Sequence, residues 1–299
     1  MATYYISTTG NDTTGDGSSS NPWLTLSKFL TSSVNNDILI VKDGTYTLTS
    51  NETISQRTIQ AENNGLAIFD GGNSEIRFNI GGNNTFKGLV FQRFYASITN
   101  KLAIFTYDTT FGTTTYNNCT FTNNRLGYST GLLRGPMFFS DSGTSDDEGT
   151  FIFNSCLWYD NYASQSGGSK SCYFGAIGAT NSPINVTLRN CTFNNNITDG
   201  TNVNALFISQ SANGIKNVTI TNCIIYNSSG TTFSITFNNS TITSFTTSYS
   251  DYYNISDPHS PTIISGTGVI TSDPLFIDAT NNNYNLSPSS PCIDAGTLI

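Results

Sequence analysis

Five short segments of this chain follow one pattern, and that repeat restricts the fold more than any other feature. They are Phe86-Lys-Gly-Leu-Val-Phe91, Tyr116-Asn-Asn-Cys-Thr-Phe121, Phe153-Asn-Ser-Cys-Leu-Trp158, Leu188-Arg-Asn-Cys-Thr-Phe193 and Ile220-Thr-Asn-Cys-Ile-Ile225, with a weaker sixth at Phe245-Thr-Thr-Ser-Tyr-Ser250. The equivalent positions Leu89, Cys119, Cys156, Cys191, Cys223 and Ser248 recur at intervals of 25 to 37 residues. Periods of that size mark architectures in which each copy lies on the next. Within a copy the apolar side chains alternate at strand period two, but the phase jumps in the middle. In the fourth copy Leu188 points inward and Arg189 outward, after which Cys191 and Phe193 point inward and Thr192 outward. The residue at the jump needs a left-handed or bridge backbone, which Asn and Gly tolerate best. Gly88, Asn118, Ser155, Asn190, Asn222 and Thr247 hold that position, so each copy reads as two short strands meeting at a tight bend.

The copies contain no amphipathic helix between strands, which removes βαβ units. Stacking is the remaining way to satisfy both strand edges, with each rung pairing its backbone to the next at about 4.8 Å and inward residues aligned in columns. The expected fold is all-β, one right-handed parallel β-helix of roughly eight to ten rungs. Polar side chains at equivalent bends are placed to form an asparagine ladder.

The repeat resembles the right-handed parallel β-helix proteins of the pectate-lyase-like superfamily, in which an Asn ladder at the short turn between the second and third sheets recurs. Both ends are similar to that superfamily as well. Tyr4-Tyr5-Ile6-Ser7, Gly10-Asn11-Asp12, Gly15-Asp16-Gly17 and Asn21-Pro22-Trp23-Leu24-Thr25-Leu26 resemble its opening segment, with a short capping helix over Thr25 to Leu30, and Asp37 to Tyr46 resembles its first rung. Asp273-Pro-Leu-Phe-Ile-Asp278 and Ser290-Pro-Cys-Ile-Asp-Ala-Gly296 resemble its closing segment. The resulting map is a single domain over 1–299, with an N-terminal cap at 1–33, rungs at 34–270 and a C-terminal cap at 271–299. The resemblance implies a fold and leaves function open, because the superfamily includes lyases, hydrolases, phage tailspikes, adhesins and inert structural parts.

Composition narrows the partners. The formal charge is −8, which argues against nucleic acid and anionic membrane surfaces. Charged residues make up 11% of the chain where about 25% is usual, and Thr and Asn fill their place. Such an uncharged, hydroxyl- and amide-covered surface is expected outside a cell or on a particle. No signal-like segment opens the sequence, and its apolar runs, such as Ile38 to Val41, are far shorter than the roughly 20 residues a membrane-spanning helix needs. With no CxxC pair and one histidine, His259, zinc-site spacing is missing. Cys119, Cys156, Cys191 and Cys223 are expected to be buried thiols filling a core column. Cys172 and Cys292 fall outside that column, and their state is open.

Two long connections, 124–149 and 162–182, follow the same strand in successive rungs and are expected on the same side of the stack. The first carries the densest acidic cluster, Asp141, Asp146, Asp147 and Glu148, which reads either as a calcium-holding loop or as a solvated turn. No other cofactor is indicated. Arg125, Arg134 and Lys170 are basic residues placed for that side, and Arg189 projects outward from a rung. Superfamily lyases pair acid-bound calcium with an Arg or Lys base, so Arg134, Lys170 and Arg189 are the catalytic candidates the resemblance implies. The superfamily hydrolases carry Gly-His-Gly and Asp-Asp motifs on rungs, and neither has a counterpart here. Tyr128, Tyr159, Tyr162, Tyr173 and Tyr226 form a different set: outward or loop tyrosines flanked by Asn and Thr, suited to stacking on sugars. Outward Val90, Leu157 and Ile224 predict a covered face, by the long connections or by a second chain. The leading expectation is a non-catalytic structural or surface protein, a component of a virus or phage particle or its appendage, in contact with glycans, with neighbouring particle proteins or a second copy as partners. The alternative is a polysaccharide lyase or glycoside hydrolase working in the groove beside the two long connections.

Overall fold

The computed structural model describes residues 1–96, 104–107, 112–126, 149–163, 173–176, 184–198, 206–210, 215–226, 233–238, 244–256 and 266–298. Nine strands stack in parallel into a first sheet: Thr3–Ile6, Ile38–Val41, Thr58–Ala61, Asn84–Lys87, Thr113–Asn117, Gly149–Asn154, Ile184–Arg189, Ile215–Thr221 and Ser244–Ser248. A second parallel sheet takes the strand after each bend, from Gly44–Thr47 and Ala67–Ser74 through Leu89–Ala96, Thr120–Thr122, Leu157–Tyr159 and Thr192–Asn194 to Ile224–Tyr226 and Asp251–Tyr253. A third face holds Glu52–Ser55, Phe78–Gly81 and Phe105–Tyr107, and further along Tyr173–Ala176, Leu206–Gln210, Phe233–Asn238 and Ile255–Ser256. Every pairing among these three faces is parallel, and each strand meets the copy one rung away, the arrangement of a β-helix.

The register places Leu89, Cys119, Cys156, Cys191 and Cys223 in one column, as the repeat requires. Two aromatic columns flank it inside the stack. Phe86, Tyr116 and Phe153 lie face to face with ring centres 5.0 and 4.7 Å apart. Phe91, Phe121, Trp158 and Phe193 do the same at 5.2, 5.1 and 4.4 Å. All seven rings are buried, so each rung adds apolar area to a continuous core while its backbone bonds to both neighbours. The four column cysteines are buried and free, filling space between the ring columns as small apolar groups.

The bend is left-handed where the sequence places it: φ is +66° at Gly88, +53° at Asn118, Ser155 and Asn190, and +54° at Asn222. The sixth copy is a correction. Ile220 pairs with Thr247, not with Phe245, and the left-handed residue is Tyr249. Ser250, not Ser248, therefore stands beside Cys223, whose backbone N–H donates to its Oγ at 3.1 Å. The pattern misleads because the inward residue before this bend is Thr247, whose hydroxyl is satisfied inside the core by the Tyr252 hydroxyl at 2.6 Å. Phe245 instead sits beside Val218, two residues earlier.

The asparagine ladder is also displaced. It does not run through Asn118, Asn190 and Asn222 but through Asn124, Asn161 and Asn196 at the following corner. Asn124 Nδ2 donates to Asn161 Oδ1 at 3.0 Å, and Asn161 Nδ2 to Asn196 Oδ1 at 2.8 Å. The same amides donate to the carbonyls of Phe91, Phe121 and Trp158, and their oxygens accept from the backbone N–H groups of Phe94, Asn124 and Asn161. At this corner the left-handed residues are Asn123, Asp160 and Asn195, and the residue after each turns inward. An inward amide has no water to bond, so it bonds the rungs above and below.

At the N-terminus the helix Leu26–Ser32 begins one residue later than expected, because Thr25 serves as its N-cap and accepts from the Lys28 N–H at 3.1 Å. At the other end the last rung closes with bridges from Thr267 to Ser248 and from Ile270 to Asp251. The chain then forms an antiparallel pair, Phe276–Asp278 with Asn283–Leu286, that packs back along the outside of the second sheet.

Candidate functional site

That returning segment decides which outward residues stay open. Tyr284 packs on Tyr159 with ring centres 5.5 Å apart, and its hydroxyl accepts from Asn194 Nδ2 at 3.1 Å. Phe276 meets Tyr226 edge-on at 5.4 Å, and Tyr226 also stacks on Tyr253 at 5.6 Å. Burial, followed by the acidic Asp273 nearby, raises the Tyr226 hydroxyl above its ordinary value; burial likewise pushes the Tyr284 hydroxyl up to about 12. Tyr159 and Tyr226, predicted as open sugar-stacking rings, are thus occupied by intramolecular packing. Ile224, half-buried, lines a cleft against the same segment, with Leu286, Ala295 and Gly296 among the other walls. The C-terminal segment packs on part of the outward face of the second sheet, whereas the long connections expected to cover Val90, Leu157 and Ile224 lie mostly outside the described residues.

The second corner presents a different outward column. Tyr95, Arg125 and Tyr162 are in register on adjacent rungs, each four residues after a stacked core aromatic. Arg125 is exposed, and its guanidinium lies over the Tyr162 ring at 5.2 Å from the centroid. Such a contact holds the planar fork in place while leaving its edge free to bond a ligand. The strands carrying Arg125 and Tyr162, Arg125–Leu126 and Tyr162–Ala163, pair with each other, and the two long connections leave from their ends. Tyr95 was not singled out from sequence. The signal that finds it is the fixed four-residue offset from Phe91, Phe121 and Trp158.

The remaining sequence candidates divide by location. Tyr128, Arg134, Asp141, Asp146, Asp147, Glu148, Lys170 and Cys172 lie outside the described residues, and Tyr173 opens the strand Tyr173–Ala176 on the third face. Arg189 ends its strand in register with Asn154 and Thr221, half-buried, on the face before the first bend rather than beside the Arg125 column. Among the described residues no three His, Cys, Asp or Glu side chains are grouped to hold a metal ion, and no helix is long and apolar enough to cross a membrane.

Of the four buried acids among the described residues, Asp37 is held by the Ala2 and Val34 N–H groups near the N-terminus, and three others bear on the corner and the clefts. Asp70 is fully buried; burial would raise its pKa, but bonds from Arg93, the Gly72 N–H and Gln92 outweigh that and hold it below the ordinary carboxylate value. Arg93 grips it with Nη2 at 2.6 Å and Nε at 2.9 Å. With its acceptor sites filled, Asp70 is a structural anchor for the corner that precedes the Arg125 rung. Glu52 lines a cleft of about 270 Å³ between the helix and the first rung, together with Thr25, Ser27, Thr45 and Thr47. Burial raises its carboxyl above the ordinary value against hydrogen bonds from Ser27 and Ser50. Asp251, on the last full rung, is the third.

No family model matches the chain, and no curated protein matches it. Among solved structures it superposes on a rhamnogalacturonan lyase with a TM-score of 0.51, covering 97% of this chain and 86% of that one at 14% identity. The chain has the fold of a right-handed parallel β-helix. At that identity the likeness concerns the path of the backbone. Within the β-helix, the outward groups at the second corner and the fold-back of the C-terminal segment are read from this chain's own residues.

Proposed function

We propose that this β-helix is a non-catalytic surface or structural protein that contacts glycans through the outward column Tyr95, Arg125 and Tyr162. The observation that carries the reading is the exposed Arg125 guanidinium laid over Tyr162 at 5.2 Å, where both long connections leave the stack. A tyrosine-flanked guanidinium suits a sugar face together with a hydroxyl or carboxylate edge. Thr and Asn in place of charge support a setting on a virus or phage particle or its appendage. Affinity electrophoresis on soluble polysaccharides tests the contact: retention is expected for the native protein, and Arg125→Ala should weaken it about tenfold or more. Absence of retention on every polysaccharide, with the fold intact, removes the glycan reading. Detection of the chain in purified particles tests the setting.

A second reading is supported by the likeness to a rhamnogalacturonan lyase and by the acids that the first connection carries. In it, Asp141, Asp146, Asp147 and Glu148 hold calcium and Arg134 or Lys170 serves as the base; Arg189, on the face before the first bend, is not on the side of the Arg125 column. Release of unsaturated oligosaccharides, read by ultraviolet absorbance with and without calcium, would establish it against the non-catalytic reading. Reducing ends without unsaturation would mean hydrolysis.

A further inference from the structure

Asp251 stands at a position where the other rungs carry an apolar or hydroxyl side chain: its register partner is Ile224, and beyond that come Thr192 and Leu157. It is 2% exposed. Its Oδ2 accepts from the thiol of Cys292, 3.2 Å away on the returning C-terminal segment. Its Oδ1 is buried and, among the described residues, has no hydrogen-bond partner of good geometry. Native proteins leave few such atoms unpaired, because an unmet buried acceptor is costly, and more so when charged.

Asp251 lines a cleft of about 210 Å³ between the last rungs and the C-terminal segment, with Asn190, Asn222, Tyr249, Ile224 and Leu286 among its walls. The segment is tied across the cleft: Asn222 Nδ2 donates to the Thr297 carbonyl at 2.7 Å, and the Thr297 N–H donates back to Asn222 Oδ1 at 3.0 Å. Besides burial, the groups acting on Asp251 are the Cys292 thiol from that segment and the backbone N–H groups of Ser272 and Tyr252, which favour its charged form, and the carboxylate of Asp273, just past the last rung, which opposes it; Tyr249 faces the cleft from the bend. Among the described residues no Lys or Arg pairs with it. Negative charge thus gathers at a half-enclosed, partly apolar cleft without a positive counterpart, and an acceptor atom is left over.

We infer that this cleft is a binding site for a small organic ammonium compound, whose N–H groups bond Asp251 while its carbon skeleton lies against Ile224 and Leu286. Burial pushes the Asp251 carboxyl up to about 6, so it is ionised at neutral pH and largely protonated at pH 5. The Cys292 thiol, pushed up to about 12 by burial and by Asp251, stays a neutral donor throughout that range.

The test is thermal unfolding of the full chain with ethanolamine, compared with ethylene glycol as the uncharged analogue and with potassium chloride at matched ionic strength. Ethanolamine should raise the unfolding temperature in a saturable way at pH 7.5, and its affinity should fall about tenfold at pH 5, following the ionised fraction of Asp251. Asp251→Asn, checked for the native β spectrum, should abolish the shift. An equal shift from ethylene glycol or potassium, an undiminished shift at pH 5, or no shift with ethanolamine overturns the inference without using a variant. Persistence of the shift in Asp251→Asn overturns it as well.

Discussion

The two corners of each rung solve the same geometric problem with opposite chemistry. Both need a left-handed residue, and asparagine supplies it at Asn118, Asn190 and Asn222 in the first and at Asn123 and Asn195 in the second. At the first corner the turning residue directs its own side chain outward, so Asn118 and Asn190 are exposed and serve the backbone alone. At the second, the residue after the turn points in, and Asn124, Asn161 and Asn196 are buried with their amides bonded to neighbouring rungs. At Asn118 and Asn190 asparagine is therefore a conformational choice, whereas at Asn124, Asn161 and Asn196 it is part of the core; Asn222 adds to its turn a side chain that holds Thr297. Residue type alone does not separate the two roles; the direction of the side chain does.

Substitutions at the two corners should differ accordingly. The largest effect is expected for Asn161→Ala. It strips partners from the Phe121 carbonyl, the Asn124 N–H and the Asn196 amide oxygen at once, and should cost about 3–5 kcal/mol in denaturant unfolding. A loss under about 1 kcal/mol would erase the distinction between the corners.

A pH scan sharpens it, because the buried amides carry no charge while Asp251, buried on the last rung, does. Its folded-state pKa is raised to about 6, so between about pH 4 and 6 the folded form holds a proton that the unfolded chain has released. Stability should therefore fall as pH rises through that window. The expected drop is about 1–2 kcal/mol, below what the full shift would give because Asp251 borders an open cleft. Asp251→Asn should flatten that part of the profile while leaving the ladder's contribution untouched.

Smaller effects are expected at the first corner. Asn118→Ala should cost about 1 kcal/mol, the penalty of a left-handed alanine, whereas Asn118→Gly should change stability by a few tenths. The smallest is a gain: Ser155→Asn, at φ +53°, should stabilise by about 0.5 kcal/mol. If alanine and glycine behave alike at Asn118, its side chain does more than its backbone conformation accounts for.

The stack was legible because every rung repeats the same inward spacing, and the jump at Asn190 marks the bend from local information alone. The second corner left a trace that is as regular: Phe121-Thr-Asn-Asn124, Trp158-Tyr-Asp-Asn161 and Phe193-Asn-Asn-Asn196 share a buried Asn three residues after the core aromatic. It was obscured by the abundance of Asn, which makes any one position uninformative until its direction is known. The last rung was misread by two residues because a hydroxyl pair, Thr247 with Tyr252, stands where apolar side chains were expected. Of the candidate site, Arg125 and Tyr162 follow from counting along the repeat, whereas the pairing of Asp251 with Cys292 leaves no periodic mark.

The sequence alone determined that this chain stacks parallel rungs, because burying a period-two face and satisfying both strand edges are demands that each copy states for itself. The tertiary structure decided which outward residues remain accessible. Tyr284 reaches Asn194 across 90 residues and Thr297 reaches Asn222 across 75, closing over Tyr226 and creating the Asp251 cleft while Arg125 stays exposed. Contacts at that separation depend on where the folded stack brings a distant segment, and no local spacing encodes them.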